Sequence, residues 1–370
     1  MKIKAAVMTG VGKPLEIHEV DLEQPRANEV LVKIGATGVC HSDLNTLNDP
    51  GTPIPQVLGH EGAGTVMQTG DNVTTCRQGD HVALSWIPFC GTCAFCSAGK
   101  VHLCETVFGP MFEGTLPLGG TRLKLKGQTC YHSSMLSTFA EYAVVPERSC
   151  IKIPDQMPFA PASTIGCGVA TGYGAAVHAA GVRPGDSVVI FGIGGVGINA
   201  IQGARAAGAL RIIACDTKPE NLAICRQFGA TDTLNVREVE SVPKAVMALT
   251  KGLGADSAID ATGSPQICAA AFASIRKGGI VVVVGAYPSD AQIVLPAGGF
   301  HRVGKTLKGS FYGDVNPYFD FPRIAELYLA GRYSLDNLVI RKIKLEEINE
   351  AFDSFHDHSA NNVGRYVIEF

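Results

Sequence analysis

Between Gly38 and Gly64 the chain carries Cys40-His41-Ser42-Asp43 and then Gly59-His60-Glu61-Gly62. A thiolate, imidazoles, a hydroxyl and two carboxylates fall in one stretch whose glycines and prolines predict turns. Cys and His together suit Zn²⁺. Cys40 and His60 alone leave a tetrahedron incomplete, so a third ligand comes from elsewhere and one position stays open for a reacting molecule. An isolated Cys and His are more often a buried thiol and a satisfied loop histidine, and features further along the chain tip that balance.

Cys90, Cys93 and Cys96 follow at C-x₂-C-x₂-C spacing, with Cys104 after seven more residues. Four thiolates on a glycine-containing loop can close around one tetrahedral ion, which is the pattern of a structural zinc with no open position. The rival is an iron–sulfur cluster, whose bacterial motif places its last cysteine three residues on and before proline. Here the gap is seven, and Glu105 follows Cys104.

A third chemical signal is Gly192-Ile193-Gly194-Gly195-Val196-Gly197, directly after the apolar run Val188–Phe191 and before a helical stretch from Ile198. Asp216 stands nineteen residues after Gly197, at the end of the strand-like Arg211–Cys215. Set between strand and helix, the glycines permit a tight turn and close approach of a pyrophosphate to a helix N-terminus. Asp216 would accept from the ribose hydroxyls and repel a 2′-phosphate, so NAD is expected over NADP.

The elements that must position these groups divide the chain in two. At 370 residues it is too long for one compact core. With 46% apolar and 18% charged residues it is a folded protein with a large interior. A net charge of −3 gives no reason to expect nucleic acid or an anionic membrane as partner. No signal peptide or membrane span is visible, which predicts a cytoplasmic location. In that compartment twelve cysteines, five of them between Cys76 and Cys104, are read as metal ligands or reactive thiols rather than disulfides. Alternating runs such as Val30–Ile34, Gly64–Met67 and Asp80–Leu84 predict a glycine-rich antiparallel β unit. Residues 105–138 are expected to be an excursion of loop and short strand. From Ser187, strands alternate with helices over 219–228, 242–250 and 265–275, predicting a doubly wound parallel sheet, and the strand-like Arg365–Phe370 ends the chain. Cys76, Cys130, Cys150 and Cys167 all stay open as the missing ligand, the one hint being that Cys167 sits in a glycine-flanked turn just before the nucleotide unit.

The order Cys40–Asp43, Gly59–Glu61, the four-cysteine loop, Gly166-Cys167-Gly168 and Gly192–Gly197 resembles the zinc-containing alcohol dehydrogenases of the medium-chain dehydrogenase/reductase superfamily, along essentially the whole chain. The long excursion after Cys104 is similar to that of the dimeric liver-type branch. The resemblance implies an α/β fold with a GroES-like catalytic domain, residues 1–168 and 311–370, interrupted by a Rossmann domain, residues 169–310. It implies two zinc ions per chain, a catalytic one on Cys40, His60 and Cys167 and a structural one on Cys90, Cys93, Cys96 and Cys104. Asp43 and Glu61 then support the catalytic ligands, Asp43 by orienting the His60 ring. Ser42 matches the hydroxyl of a proton relay. A histidine three residues on completes that relay in many members, and Asn45 stands there. His41 and Arg365 look like pyrophosphate contacts, and Thr171 and Val196 would touch the nicotinamide.

The activity so implied is NAD-dependent interconversion of alcohols and aldehydes by hydride transfer from a zinc-bound alkoxide. Trp86 and Phe311 match aromatic walls of the substrate pocket, and Ser133 and Ser134 replace bulkier residues there. Primary aliphatic or aromatic alcohols are expected, rather than polyols. A thiol-dependent formaldehyde dehydrogenase is the near alternative, although that group has an arginine where this chain has Phe108. An NAD(H)-binding zinc protein without turnover, acting as a redox sensor, is the alternative from another class. The resemblance also implies a homodimer joined through the 280–284 strand.

Overall fold

The structure, a computed structural model, describes residues 1–356 and 363–370. Lys2–Met8, Glu16–Leu22, Leu123–Leu125, Gln128–His132 and Gln56–Val57 close into a small barrel. Beside it lies a seven-stranded sheet in the order Cys150–Lys152, His81–Leu84, Glu61–Thr69, Glu29–Val39, Arg365–Glu369 and Val339–Ile343, with Tyr142–Pro146 also pairing to Glu29–Val39. Glu29–Val39 is its spine. It pairs with three strands along its length, and a run of apolar residues there meets neighbours on both faces. Gly64 lies where any Cβ would come within 2.0 Å of the Lys33 carbonyl, so these strands approach closely only because that residue is glycine.

The C-terminal strand joins this sheet antiparallel, with Tyr366 opposite Val39 and Val367 opposite Gly38. On the other side of the same strand Gly38 faces Glu61. The last residues of the chain are thereby set beside the first chemical cluster.

The rest is a six-stranded parallel sheet in the order Asp232–Asn235, Arg211–Asp216, Ser187–Phe191, Ala255–Asp260, Ile275–Val283, Thr306–Gly309. The short run Asp232–Asn235 had no strand signal in the sequence. Helices Gly195–Ala206, Pro219–Phe228, Val242–Leu249 and Pro265–Ser274 connect the strands. Ser241 and Ser264 start the last two by accepting from the N–H groups of Lys244 and Ile267, each followed by a proline in the first turn. The order in which successive strands are added reverses between Ser187–Phe191 and Ala255–Asp260, which is the switch point where doubly wound sheets open a crevice.

Three expectations are corrected. The stretch after Cys40 is not all turn, because His41–Asn48 is a helix with Leu44 and Leu47 buried and Cys40 at its N-terminal cap. Residues 105–138 are not only loop and short strand. Glu105–Glu113 is helical, its signal masked by Gly109 and Pro110, and Gly114 ends it at a φ of +68°. The 280–284 region is not a sheet edge available to a partner. Ile275–Val283 is hydrogen-bonded on both sides, and the edge is Thr306–Gly309.

Candidate active site and metal centres

Cys40 ends the spine strand and caps the helix behind it, its own N–H donating to Asp43 Oδ2 at 3.0 Å. The other oxygen of that buried carboxylate lies 2.9 Å from His60 Nδ1. A carboxylate only accepts, so Nδ1 carries the proton and Nε2 keeps its lone pair for a cation. Burial works against a charge on His60, yet Asp43 and Cys40 outweigh it and raise the imidazole well above its ordinary value.

Cys167 arrives from a sharp turn between two short helical segments, with φ −138° and ψ −88°. Its flanking glycines are required sterically. A Cβ on Gly166 would lie 2.5 Å from the Leu84 carbonyl, and one on Gly168 would lie 2.7 Å from the Arg365 guanidinium. The ligand atoms of Cys40, His60, Glu61 and Cys167 all lie within 4.8 Å of one another. A hydrogen bond from Cys167 and the nearby Arg365 and His60 pull the Cys40 thiol well below its usual range. Its partner Cys167 is pushed up by sharing that proton and by burial. Two thiols and an oriented imidazole around one point form a donor set that fits zinc.

Glu61 is fully buried beside them and accepts from Arg365 through both oxygens, at 2.9 to 3.1 Å. Burial raises its carboxyl, and the guanidinium opposes that rise. Arg365 Nη2 also reaches Cys40 Sγ at 3.5 Å, and the same side chain shares a narrow crevice with Gly168 and Gly195. It therefore stands between the metal cluster and the glycine turn.

Cys90, Cys93, Cys96 and Cys104 also bring their sulfurs within 4.8 Å of one another. Main-chain N–H groups point at them, Cys93 and Thr92 to Cys90 Sγ at 3.3 and 3.4 Å and Cys90 to Cys104 Sγ at 3.2 Å. Against the effect of burial, donors from Thr92 and Cys93 bring the Cys90 thiol down to about 5, while burial and its neighbours push Cys96 up to about 12. Such a cluster is electrostatically complete only with a cation, and four cysteines suit a closed zinc site. All twelve cysteines are free thiols, as the sequence predicted.

In the glycine turn, Gly192 has a φ of +83° and Gly195 opens the helix 195–206. A Cβ on Gly197 would lie 1.9 Å from the Gly192 carbonyl. Asp216 accepts from the N–H groups of Ile193, Thr217 and Lys218 at 2.6, 2.7 and 2.9 Å, which holds its carboxylate at the rim of the turn. It lines a cavity of about 280 Å³ with Gly192, Thr217, Val236, Thr262 and Ile267. Thr171 and Val196 lie on helices so close that a Cβ on Gly172 would be 2.3 Å from the Val196 carbonyl. His41 is exposed in the first turn of its helix, its ring 5.4 Å from that of Phe355. Ser42 is exposed, with its hydroxyl 3.7 Å from Cys40 Sγ.

Trp86 lies just beyond the His81–Leu84 strand and meets Phe311 edge-on at 5.4 Å, and Phe108 approaches Phe311 at 5.6 Å. The structure thus joins the two aromatic residues singled out in the sequence. Ser133 is buried and Ser134 has a φ of +50°, both on a loop whose Leu136 belongs to the cluster that Trp86 packs against. Sequence reasoning missed Tyr312, whose ring lies 4.6 Å from Trp86 and whose hydroxyl bonds Gly166. Its only signal was its place next to Phe311.

Two family models match the chain. Residues 26–155 match the alcohol dehydrogenase GroES-like domain, and residues 195–329 match the zinc-binding dehydrogenase domain. Cys167 falls between the two. The chain is 41% identical over 361 residues to an NDMA-dependent alcohol dehydrogenase of Amycolatopsis methanolica, with 96% of each chain covered. It is 41% identical over 371 residues to an S-(hydroxymethyl)glutathione dehydrogenase of Escherichia coli, covering 99% of this chain and all of that one. The crystal structure of benzyl alcohol dehydrogenase from Acinetobacter calcoaceticus superposes with a TM-score of 0.93 at 33% identity, covering all of this chain and 99% of that one. Likeness of this extent, spanning both metal clusters and the nucleotide turn, shows that the chain belongs to the zinc-containing alcohol dehydrogenases of the medium-chain dehydrogenase/reductase superfamily.

Proposed function

We propose that this dehydrogenase interconverts primary aliphatic or aromatic alcohols and their aldehydes, with NAD as the hydride carrier. The observation that carries the reading is the convergence of the Cys40, His60 and Cys167 ligand atoms, tied to the aromatic cluster of Trp86, Phe311 and Phe108 by Tyr312, which bonds Gly166 and packs on Trp86. When bound, zinc supplies Lewis acidity toward the substrate oxygen and NAD supplies the hydride acceptor. Cys40 and Cys167 as thiolates offset the charge of a dication, and Asp43 fixes the tautomer of His60. Glu61 and Arg365 keep a compensated pair beside that centre. Ser42, exposed next to Cys40, moves the substrate proton outward. Asn45 does not titrate, so the proton leaves from Ser42 without the histidine step of other members.

Gly192, Gly194, Gly195, Val196 and Gly197 present a helix N-terminus to the pyrophosphate, with Arg365 and His41 beside it. Thr171 and Val196 wall the nicotinamide. Asp216 selects NAD, because its charge would repel a 2′-phosphate. We place the domain boundaries at 168/169 and 310/311, supported by the pairing of Arg365–Glu369 with the N-terminal sheet. A homodimer is expected through the exposed edge strand Thr306–Gly309, since an unpaired edge favours a second copy. A cytoplasmic location is supported by twelve free thiols.

Substrates pass between apolar rings. Phe108 packs on Phe311 where thiol-dependent formaldehyde dehydrogenases place an arginine, which favours the alcohol reading over that of the Escherichia coli relative. The test is NAD⁺ reduction with ethanol, hexanol, benzyl alcohol, sorbitol, and formaldehyde plus glutathione, with zinc determined on the same preparation. Turnover of hexanol or benzyl alcohol with two zinc ions per chain is the expected result. Faster turnover of sorbitol, or of the formaldehyde adduct, would overturn the substrate assignment.

A further inference from the structure

Tyr312, Gly313 and Asp314 follow one another with φ of +56°, +68° and +56°. Non-glycine residues are rare in that region and persist only where their surroundings over-determine them. Here the surroundings do so. A Cβ on Gly313 would lie 2.5 Å from the Thr171 carbonyl. Asp314 accepts from Ser310 Oγ at 2.9 Å and pairs with Lys308 at 2.8 Å. Tyr312, almost wholly buried, reaches Gly166 O with its hydroxyl at 2.5 Å and Ser85 Oγ at 3.4 Å.

The direction of these bonds follows from their acceptors. A carbonyl accepts only, so the Tyr312 proton goes to Gly166. The phenol oxygen is then free to accept from the Ser85 hydroxyl, and Ser85 Oγ accepts from Ile87 N–H at 3.2 Å. One chain of bonds therefore runs from the strand end that carries Trp86 to the carbonyl just before Cys167. That turn is flanked by Gly166 and Gly168, the residues with the least intrinsic backbone restraint. Its position depends on what holds it from outside.

We propose that Tyr312 is a positioning residue for the third thiolate of the catalytic metal centre. Its hydroxyl fixes the height of Cys167, and its ring, packed against Trp86 at 4.6 Å, ties that height to the substrate wall. The strained backbone is what brings the phenol there. The inference rests on the assignment of Cys167 as a metal ligand.

Tyr312→Phe keeps the ring and removes the hydroxyl. Zinc release to a chromogenic chelator is followed for the whole enzyme and the variant, together with the thiolate-to-metal absorption of the cobalt-substituted forms. Loss of one of two zinc ions about tenfold faster than in the parent, with a shifted cobalt band and a lower kcat at unchanged KM for NAD⁺, is the expected result. The four-cysteine site serves as internal control and should release its ion at the parent rate. Parent-like release and an unchanged band would overturn the role of Tyr312. A parent enzyme with a single zinc would instead sink the ligand assignment beneath it. If Tyr312→Phe loses both ions together with its fold, Ser85→Ala decides: faster release of one ion supports the proposal, and parent-like release overturns it.

Discussion

Arg365, near the C-terminus, holds Glu61 in a two-oxygen ion pair across 304 residues of sequence. The carboxylate is wholly buried and the arginine side chain is 12% exposed. Removing one member of such a pair leaves an uncompensated charge in the interior, which costs about 3 to 5 kcal/mol. Arg365→Leu, which strands the Glu61 carboxylate, and Glu61→Gln, which strands the Arg365 guanidinium, should each lower the urea midpoint. Equal midpoints for Arg365→Leu and the parent would show that the pair is not required for stability.

Asp43 acts through His60 and through the Cys40 N–H. Asp43→Asn is expected to weaken zinc retention at the Cys40 centre by about 10- to 100-fold. Metal analysis after dialysis against graded chelator should show one ion lost and the four-cysteine ion kept. Retention of both at parent affinity would contradict the orienting role.

The proposed preference for NAD assigns the discrimination to the Asp216 carboxylate. Asp216→Gly removes the charge beside the glycine turn, so the ratio of kcat/KM for NADP⁺ over NAD⁺ should rise by at least about tenfold, the factor that corresponds to 1.4 kcal/mol. A ratio that does not move would place the discrimination elsewhere in the cavity.

An arginine at position 41 would offer a permanent charge and a planar fork of N–H donors that suits phosphate oxygens. His41→Arg is expected to slow NADH dissociation in stopped-flow displacement several-fold. An unchanged rate constant would remove His41 from the pyrophosphate contacts.

The loop that carries Ser133 and Ser134 gives a pH prediction. His132 is wholly interior, accepts from Arg122 N–H at 3.1 Å and faces Ser137 Oγ at 3.1 Å. Burial, with the Arg122 charge beside it, lowers the imidazole from 6.5 to about 3. The folded form therefore keeps it neutral where the unfolded chain would bind a proton. Its contribution is complete above pH 6.5 and declines as pH falls toward about 3, by on the order of 5 kcal/mol in all. His132→Gln should flatten that part of the stability profile, at some cost near neutrality. A variant with the parent slope between those limits would refute the linkage.

Much of the chemistry was legible from spacing. Four cysteines within fifteen residues, a glycine turn between strand and helix, and an acid at the next strand end are local patterns, because each is built on one loop or one βαβ unit. The alternation of strands and helices from Ser187 onward was local in the same sense. Helix Glu105–Glu113 was not, since Gly109 and Pro110 argue against helix and its neighbours decide otherwise.

What tertiary structure alone decided is which distant residues share the catalytic centre. The residues alone left several cysteines open as a third ligand, and only the resemblance chose Cys167. Its convergence with Cys40 and His60 exists because the 164–168 turn packs against the Leu84 strand end and the Tyr312 phenol. The Glu61–Arg365 pair exists because one spine strand is flanked by residues 61–69 and 365–369. Register across a sheet is set by packing and pairing between segments far apart in the chain, and no spacing within one segment encodes it.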